Sequence, residues 1–290
     1  MKQILLINDI AGYGKVGMAA MLPILSYMGI PAFNLPTALV SNTLDYGEFT
    51  ELDTTDYMRR TFPIWKRLGF HFDAICTGLM FNPEQAHLVA AYCKEQAEEG
   101  CAVYVDPVMG DGGRLYNGIT QQQVALMRQM VSVAHLTIPN YTEACYLTDT
   151  SYRPEGITRS DAKQLLEQVV AIGARSALVT SSIVEGRHCV CGYDSCRRPQ
   201  CDEERMPTMA GSFFLHEYEE IPGLFHGTGD IFSAVLIADL MGGKALSEST
   251  RHAMDVVSQM ISRNRDVTDY KCGIFIERCL DLLSSSTKEH

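Results

Sequence analysis

The sequence predicts an α/β fold with a mostly parallel central sheet and helices on both faces. Short apolar runs typical of strands alternate with amphipathic runs typical of helices along the chain. Such alternation favours a parallel sheet, because each crossover helix returns the chain to the end of the sheet where the previous strand began. The sequence contains no internal repeat and no stretch that reads as an interdomain linker. Residues 1–290 are therefore predicted to form a single domain.

Apolar periodicity and helix start and stop signals define each element in order. The predicted elements are strand 4–8, helix 15–29, strand 30–36, helix 53–69, strand 72–78, helix 82–100, strand 102–108, helix 120–133, strand 135–140, a short helix from Thr142, helix 158–172, strand 176–182, an antiparallel pair of strands 187–194 and 212–221, and helices 230–241, 247–264 and 273–283. The helix 53–69 has Asp53, Thr54 or Thr55 as its N-cap. Residues 283–290 are expected to be a frayed tail.

Charge and composition exclude several classes of function. The chain has 24 Lys and Arg residues and 35 Asp and Glu residues, a net charge of −11, whereas a nucleic-acid surface is normally basic. An anionic substrate stays compatible, because backbone N–H groups and a metal bind phosphate locally. No run approaches the ~20 apolar residues of a membrane span, and the N-terminal run is too short for a signal peptide. We expect a cytoplasmic protein without nucleic-acid or membrane partners.

The ten cysteines are expected to be thiols, as in most cytosolic chains. Four of them lie close together in the sequence: Cys189, Cys191, Cys196 and Cys201. A zinc site is disfavoured, because no C-x2-C pair is present and because Cys189 and Cys191 alternate as strand residues do. The role of this group stays open.

The segment "AGYGKVG" places Gly12, Gly14 and Gly17 in a G-x-G-x-x-G pattern after the first strand. The pattern suggests a dinucleotide site, but such a site also needs an acid about 20 residues further on. No acid occurs there before Asp45. A tight strand-to-helix turn is favoured over NAD binding.

Polar and acidic residues lie at the ends of two neighbouring strands of the predicted sheet. Asp106 lies near the end of strand 102–108 in "VDPVMGDGGRLY", and Asn140 ends strand 135–140 and is followed by Glu143 in "PNYTEA". Ligands of open α/β sheets bind at these strand ends, and two carboxylates suit a Mg²⁺ ion that keeps most of its waters. Alternatively, Glu143 is a first-turn acid that favours the helix dipole. The glycine-rich loop after Asp106 is predicted to be a mobile flap.

The segment "HGTGD" precedes a helix that is apolar on almost every side. Gly227, Thr228 and Gly229 offer consecutive N–H groups at the helix N-terminus, an arrangement suited to an anion. A cap explains Thr228 or Asp230 alone, but not glycines on both sides of Thr228. A carboxylate beside an anion site needs a task, and accepting a proton from an attacking hydroxyl supplies one. Together the three segments predict phosphoryl transfer to an alcohol without a P-loop.

These residues resemble a known family. "GTGD" before a buried helix is similar to the signature of the ribokinase-like (PfkB) small-molecule kinases. "DPVMGDGGRLY" and "PNYTEA" resemble the vitamin-kinase branch, the pyridoxal kinases in particular, and the likeness runs from Met1 to the last helix. The resemblance implies a three-layer α/β/α ribokinase-like fold. It also implies ATP-dependent phosphorylation of the 5′-hydroxymethyl group of pyridoxal, pyridoxamine or pyridoxine, in the salvage of vitamin B6.

The resemblance implies a role for each candidate residue. Asp230 is the base, and Gly227, Thr228 and Gly229 form the anion hole. The acceptor ring is faced by Asp9, Thr37 and Tyr46. The ATP and Mg²⁺ side comprises Asp106, Asn140, Glu143, Thr180, His216 and Tyr218, with Asp106 and Glu143 nearest the metal and the flap at 110–118. A homodimer through the segment around 30–50 is implied, and the need for a monovalent cation stays open.

Two departures and several alternatives follow from the same comparison. Asp9 stands where serine is usual, and it would pair with a pyridinium nitrogen or an amine. Leu79 stands where an aromatic residue is expected. Hydroxymethylpyrimidine kinase is the main rival, although that branch tends to carry cysteine at the position of Asp230. A sugar kinase, a non-catalytic vitamer-binding protein on the same fold and an NAD enzyme are the remaining alternatives.

Overall fold

The computed structural model describes residues 1–116, 119–196, 204–205 (backbone alone), 211–223 and 225–284. The strands are β1 (Ile4–Tyr13), β2 (Ala32–Asn42), β3 (Glu51–Asp53), β4 (Ala74–Thr77), β5 (Ala102–Val105), β6 (Gly110–Asp111), β7 (Arg114–Leu115), β8 (Leu136–Thr137), β9 (Ser176–Val184), β10 (Arg187–Asp194), β11 (Glu204–Arg205) and β12 (Ser212–Tyr218). The α-helices are α1 (Met18–Tyr27), α2 (Thr55–Leu68), α3 (Pro83–Glu98), α4 (Gln121–Val131), α5 (Tyr141–Thr148), α6 (Arg159–Ala171), α7 (Thr228–Met241) and α8 (Leu246–Arg263).

The chain divides into two compact units, and each contains part of the predicted sheet. The first unit is Met1–Ala74 with Ile221–His290, and the second is Ile75–Glu220. In the first unit β1 and β2 are parallel and β3 joins β2 in antiparallel fashion. In the second unit β5, β8 and β9 are parallel, and β10, β12 and β11 continue in antiparallel fashion. The predicted α/β class and the antiparallel pair are confirmed, and the single domain stays a prediction.

Helix α7 is buried along most of its length in the first unit. Every side chain from Ile231 to Asp239 is buried, and the helix packs against α1 and α8. An apolar surface on all sides explains why this segment has no amphipathic pattern. The burial fixes the N-terminal turn of α7, which contains the sequence "GTGD".

Asp239 is the charged exception inside α7, and it joins this helix to the start of α8. Its carboxylate accepts hydrogen bonds from Lys244 Nζ at 2.8 Å and from His252 Nδ1 at 2.6 Å. Burial alone would raise the pKa of Asp239, but the hydrogen bonds and charges of His252 and Lys244 lower it overall. The buried acid therefore stays charged and paired at neutral pH.

The predicted helix 273–283 is wrong. The segment instead forms short 3₁₀ turns at Tyr270–Cys272, Ile276–Arg278 and Leu280–Leu283. Ile274 and Ile276 are both fully buried, and residues two apart point to nearly opposite sides of an α-helix. Tighter turns bury both side chains, which a regular helix would not.

The structure also differs from the predicted elements where strands contain polar or glycine-rich residues. β1 and β2 run to Tyr13 and Asn42, well beyond the predicted strand ends. β3 was not predicted. The glycine-rich segment after Asp106 forms the hairpin β6–β7 with a turn at Gly112 and Gly113. The predicted frayed tail is wrong at Leu283, which is buried in the last 3₁₀ turn; residues 285–290 lie outside the described residues, as do residues 117–118 of the predicted flap.

Two absences hold for the described part of the chain. No helix there is long and apolar enough to cross a membrane. The described cysteines are free thiols, and no group of three or more His, Cys, Asp and Glu side chains there is arranged to hold a metal. Cys189 and Cys191 are buried in β10, and Cys201 lies outside the described residues.

We predict that Asp239→Asn lowers the free energy of unfolding at pH 7 by about 1–3 kcal/mol, because His252 and Lys244 lose a buried charged acceptor. Urea denaturation measures the change, and Asp255→Asn on the exposed side of α8 is the control. Because folding lowers the pKa of Asp239, its contribution is present above the unfolded-state pKa of about 4 and is lost as the pH falls below it. Equal stability of the two variants at pH 7 would contradict this account.

Candidate active site

The turn "HGTGD" needs glycine at Gly227 for steric reasons. Gly227 is the N-cap of α7 with φ 78°. A Cβ atom there would lie 2.1 Å from the carbonyl oxygen of Lys15. The left-handed conformation and the close crossing with the 14–17 turn both exclude larger residues. Gly227 therefore sets the place where the two segments cross.

Gly229 has no such reason to be glycine. A Cβ atom on Gly229 would meet no heavy atom within 4 Å. Among the described residues, no side chain caps the N-terminus of α7, so the N–H groups of its first turn keep their hydrogen-bonding capacity. An open glycine over uncapped N–H groups suits a ligand that approaches the backbone, as an anion does.

Asp230 is held by groups from β1 and from the turn that follows it. Its Oδ2 accepts a hydrogen bond from the Gly17 N–H at 2.8 Å, and its Oδ1 lies 3.4 Å from Asn8 Nδ2. Burial raises the pKa of Asp230 to about 7, and the charge of Asp9 acts in the same direction, while the two hydrogen bonds oppose the rise. A carboxylate with a pKa near 7 is suited to accept a proton at neutral pH.

Asp9 lies beside Asp230 at an irregularity of the β1–β2 pairing. Asn8 pairs with Pro36 and Ile10 with Leu39, so Asp9 alone faces two residues of β2, Thr37 being one. Burial raises the pKa of Asp9 to about 6. Bulges of this kind aim side chains next to active sites.

Gly17 separates the two acids and touches both. A Cβ atom on Gly17 would lie 2.5 Å from the Asp9 carbonyl oxygen and 2.8 Å from Asp9 Oδ1. The absence of a side chain at Gly17 thus lets one N–H group reach Asp230 beside Asp9.

The other two predicted acceptor-side residues have structural partners in the first unit. Thr37 is fully buried, and its carbonyl oxygen accepts a hydrogen bond from the Thr54 hydroxyl at 2.8 Å. The Tyr46 hydroxyl donates to Asp269, and its ring packs edge-on against Tyr13. Thr37 therefore lies next to Asp9, whereas the Tyr46 hydroxyl is hydrogen-bonded to Asp269.

The glycines of the G-x-G-x-x-G pattern are explained by close packing. A Cβ atom on Gly12 would lie 2.9 Å from the Ser41 carbonyl oxygen, and one on Gly14 would lie 2.1 Å from Thr43 Oγ1. Gly17 meets Asp9, as described above. The alternative of a tight turn therefore accounts for all three, and NAD binding has no support in this geometry.

In the second unit, Glu143 ties the start of α5 to the hairpin. Its Oε1 accepts hydrogen bonds from the Met109 N–H at 2.9 Å and the Gly110 N–H at 3.5 Å, and its Oε2 accepts one from the Asn140 N–H at 2.9 Å. Burial raises the pKa of Glu143 well above its usual range, and the nearby charge of Asp106 adds to the rise. Glu143 therefore accepts hydrogen bonds from outside its own helix, which an acid that only favours the helix dipole would not.

Asn140 brings the hairpin and β9 to the same place. Its Nδ2 donates to the Gly110 carbonyl oxygen at 2.8 Å, and its backbone forms a parallel bridge with Thr180. The Thr142 hydroxyl accepts a hydrogen bond from the Gly113 N–H at 2.9 Å. The predicted flap is therefore anchored at its base by the first turn of α5.

Thr180 lies in a bulge of β9. Cys189 pairs with Ser182 and Cys191 with Val179, so Thr180 and Ser181 face one residue of β10. Ser181 has a φ of 55°, which is uncommon for a residue with a side chain. Strained backbone of this kind clusters at functional sites.

The predicted residues of β12 lie close to this bulge. His216 pairs across with Val190, the residue of β10 that faces the bulge. The Tyr218 hydroxyl is hydrogen-bonded to the Ser181 side chain. Burial raises the pKa of Tyr218 to about 12, with the charge of Glu220 in the same direction. The second unit thus gathers all six predicted nucleotide-side residues around two neighbouring features, the α5 N-terminus and the β9 bulge.

Sequence reasoning missed three residues of these two sets. Asn8, Gly17 (as the donor to Asp230) and Ser181 were not predicted to act. Asn8 is a polar residue inside an apolar strand run, which is a signal that the sequence displays. The positive φ of Ser181 leaves no such signal, because it arises from strand pairing.

The comparisons with known proteins identify the family. A model described as phosphomethylpyrimidine kinase matches residues 13–274. The chain therefore belongs to the phosphomethylpyrimidine kinase family.

Several solved structures are similar over nearly the whole chain. A Bacteroides thetaiotaomicron protein, provisionally assigned as a phosphomethylpyrimidine kinase, is 31% identical with a TM-score of 0.88, over 97% of this chain and 93% of that one. A second crystal form of it contains pyridoxal and gives a TM-score of 0.86, over 97% and 95% of the two chains. Pyridoxal kinase from Lactobacillus plantarum is 25% identical with a TM-score of 0.80, over 98% and 96% of the two chains. The ribokinase-like fold is thereby confirmed.

A curated relative carries a name that specifies its acceptors. The pyridoxine/pyridoxal/pyridoxamine kinase of Bordetella avium is 26% identical, and the match covers 87% of this chain and 82% of that protein. The family model and the relatives' names thus point to the two vitamin-kinase activities that the sequence suggested.

We predict opposite effects of alanine at the two glycines of the turn. Gly227→Ala lowers the free energy of unfolding by about 2 kcal/mol or more, because of left-handed strain and the clash with Lys15. Gly229→Ala leaves it unchanged or raises it by up to about 1 kcal/mol, because alanine favours the helix and meets open space. Chemical denaturation measures both. A large loss of stability in Gly229→Ala would show that this glycine is structural.

Proposed function

We propose that this protein transfers the γ-phosphate of ATP to the 5′-hydroxymethyl group of a vitamin B6 vitamer: pyridoxal, pyridoxamine or pyridoxine. The observation that carries the proposal is Asp230, a carboxylate with a pKa of about 7 at the uncapped, glycine-lined N-terminus of a buried helix. The pyridoxal bound in the 31% identical structure and the names of the relatives support the choice of acceptor.

On the acceptor side, Asp230 takes the proton of the attacking hydroxyl. The Gly227, Thr228 and Gly229 N–H groups stabilise the negative charge of the phosphoryl group in transfer. Asp9 and Thr37 line the acceptor, and the Asp9 carboxylate suits a cationic group such as a pyridinium nitrogen or a protonated amine. Tyr46 contributes through its ring.

On the nucleotide side, the second unit holds the phosphates and the metal. The carboxyl groups of Asp106 and Glu143 are close enough to repel each other when both are charged. A nearby divalent cation would offset this repulsion. Both oxygens of Glu143 already accept backbone N–H groups, which fits a Mg²⁺ ion that keeps its waters and is held mainly through Asp106 and the phosphates. When bound, Mg²⁺ neutralises charge on the phosphates. The remaining nucleotide-side residues are Asn140, Thr180, His216 and Tyr218.

Phosphorylation of a hydroxymethylpyrimidine is the second candidate, and the family match favours it. Asp230 stands against it, since that branch tends to carry cysteine at this position. A non-catalytic vitamer-binding protein is the third candidate. Such a protein would need neither Asp230 nor the acids of the second unit.

We predict that Asp230→Asn abolishes turnover while the fold survives. Loss of a general base costs about 10²–10⁴-fold in rate. The variant is at least as stable as the wild type at pH 8, because burial makes ionisation of Asp230 unfavourable in the folded state. The measurement is ATP consumption with pyridoxal, pyridoxamine, pyridoxine, hydroxymethylpyrimidine and ribose.

Two matched variants complete this test. Asp255→Asn removes an exposed acid and keeps full activity. Gly229→Ala keeps its stability but loses activity if a phosphate approaches the backbone there. Near-normal kcat in Asp230→Asn would overturn the assignment of the base. Tight binding of a vitamer without turnover of any acceptor by the wild type would favour the binding protein.

We also propose a homodimer that uses the segment from β2 to α2. Tyr57, Ile64 and Leu68 are exposed, and their spacing places them on one stripe of α2. Leu39 and Leu52 pair directly across β2 and β3, and both are exposed.

Large exposed apolar surfaces usually mark interfaces. Exposed charges of both signs border these residues: Glu48, Glu51, Arg60 and Arg67. A border of mixed sign is self-complementary in a two-fold contact, which makes a second copy of this chain the expected partner.

We predict that the wild type sediments at about twice the 32.2 kDa of one chain, and that the double variant Leu52→Glu, Ile64→Glu sediments as a monomer. Charged side chains in an apolar interface cost desolvation without a partner. Analytical ultracentrifugation measures the mass. Tyr116→Glu, an exposed aromatic residue of the second unit, is the control. A monomeric wild type, or an unchanged dimer in the double variant, would contradict the proposal.

A further inference from the structure

Asn8 is a buried polar side chain inside the apolar strand β1. It is 4% exposed, between Ile7 and Asp9. A buried side-chain amide is costly unless its groups are hydrogen-bonded. Its polar contacts therefore indicate why the strand carries an amide here.

The contacts fix which way the amide of Asn8 points. Its Oδ1 accepts a hydrogen bond from the Asp9 N–H at 3.0 Å. Because a backbone N–H is a donor alone, the oxygen of the amide must face it. The NH₂ group is thereby turned toward Asp230 Oδ1 at 3.4 Å, and Met21 Sδ lies 4.0 Å from the same nitrogen.

Asp230 thus has a donor on each oxygen and an acid beside it. Gly17 supplies a backbone N–H, which every residue except proline retains, whereas Asn8 supplies a side-chain donor that a substitution removes. A donor to the charged form of a carboxylate stabilises that form, and a neighbouring carboxylate destabilises it. Asn8 and Asp9, adjacent in the sequence, therefore act on Asp230 in opposite directions.

We propose that Asn8 is a positioning residue for the reaction: its side-chain amide holds the Asp230 carboxylate in one orientation and in its charged, proton-accepting form. The proposal rests on the proposed function, in which Asp230 is the base. It assigns to the middle of β1 a part in setting the working pH range of the enzyme.

Of the charged groups around Asp230, Asp9 is the one that opposes the effect of Asn8 on the pKa of Asp230. On the 14–17 turn, Lys15 is ion-paired with Glu277. Next to the GTGD turn, His226 is paired with Asp45. On α8, His252 binds Asp239 near the far end of α7. Among these titratable groups, the charge of Asp9 is the one that acts on Asp230.

The test is the pH dependence of kcat/KM for phosphorylation of pyridoxal in the full-length protein. In Asn8→Leu, which keeps the volume without the donor, the acid limb moves to higher pH by about 0.5–1 pH unit. In Asn8→Asp, nearly identical in shape, it moves further, because a like charge replaces the donor. In Asp9→Asn it moves to lower pH, because the opposing charge is removed.

A structural role for Asn8 would give a different pattern. Asn8→Leu would then lose stability or kcat with the acid limb unmoved, and this result would overturn the proposal. Should Asn8→Leu fail to fold, Asn8→Ala decides instead, since it removes the donor without adding volume or charge. Failure of the proposed function is separate: in that case the wild type does not phosphorylate pyridoxal, or Asp230→Asn keeps its activity.

Discussion

The contact on which the first unit depends is the crossing between the 14–17 turn and the N-terminus of α7. Gly227 lies against the Lys15 carbonyl oxygen, and the Gly17 N–H donates to Asp230 at 2.8 Å. Burial of α7 on all sides holds this crossing in place, because a shift of the helix would disrupt its packing against α1 and α8. The geometry of the proposed active site therefore depends on two glycines that make room for backbone and on a helix that is packed on all sides.

The two units use the same electrostatic device. Asp230 and Glu143 are both carboxylates removed from water and held by backbone N–H groups. Each has a second acid nearby, Asp9 and Asp106 respectively, that raises its pKa further. Backbone donors keep such groups in place, while burial and like charge keep them ready to accept a proton or to attract a cation. The proposed kinase reaction needs one group of each kind.

The sequence was sufficient where local chemistry decides the outcome. Strand and helix alternation predicted the α/β class, and the anion site that the glycines around Thr228 indicate stays a prediction. It failed where tertiary packing decides: Ile274 and Ile276 are buried together in 3₁₀ turns and not in the predicted helix. The bulge at Thr180 and Ser181 was not predicted, because register shifts come from pairing with β10. The donor role of Gly17 could not be predicted either, since every residue except proline has a backbone N–H.

The central claim is that Asp230 holds a proton up to neutral pH and releases it within the working range of the enzyme. Carbon-13 NMR of the side-chain carboxyl groups, with Asp230→Asn to assign the signal, measures this titration directly in the free protein. The account predicts a midpoint for Asp230 at about 7. A midpoint near 4, the value of an ordinary exposed aspartate, would contradict it.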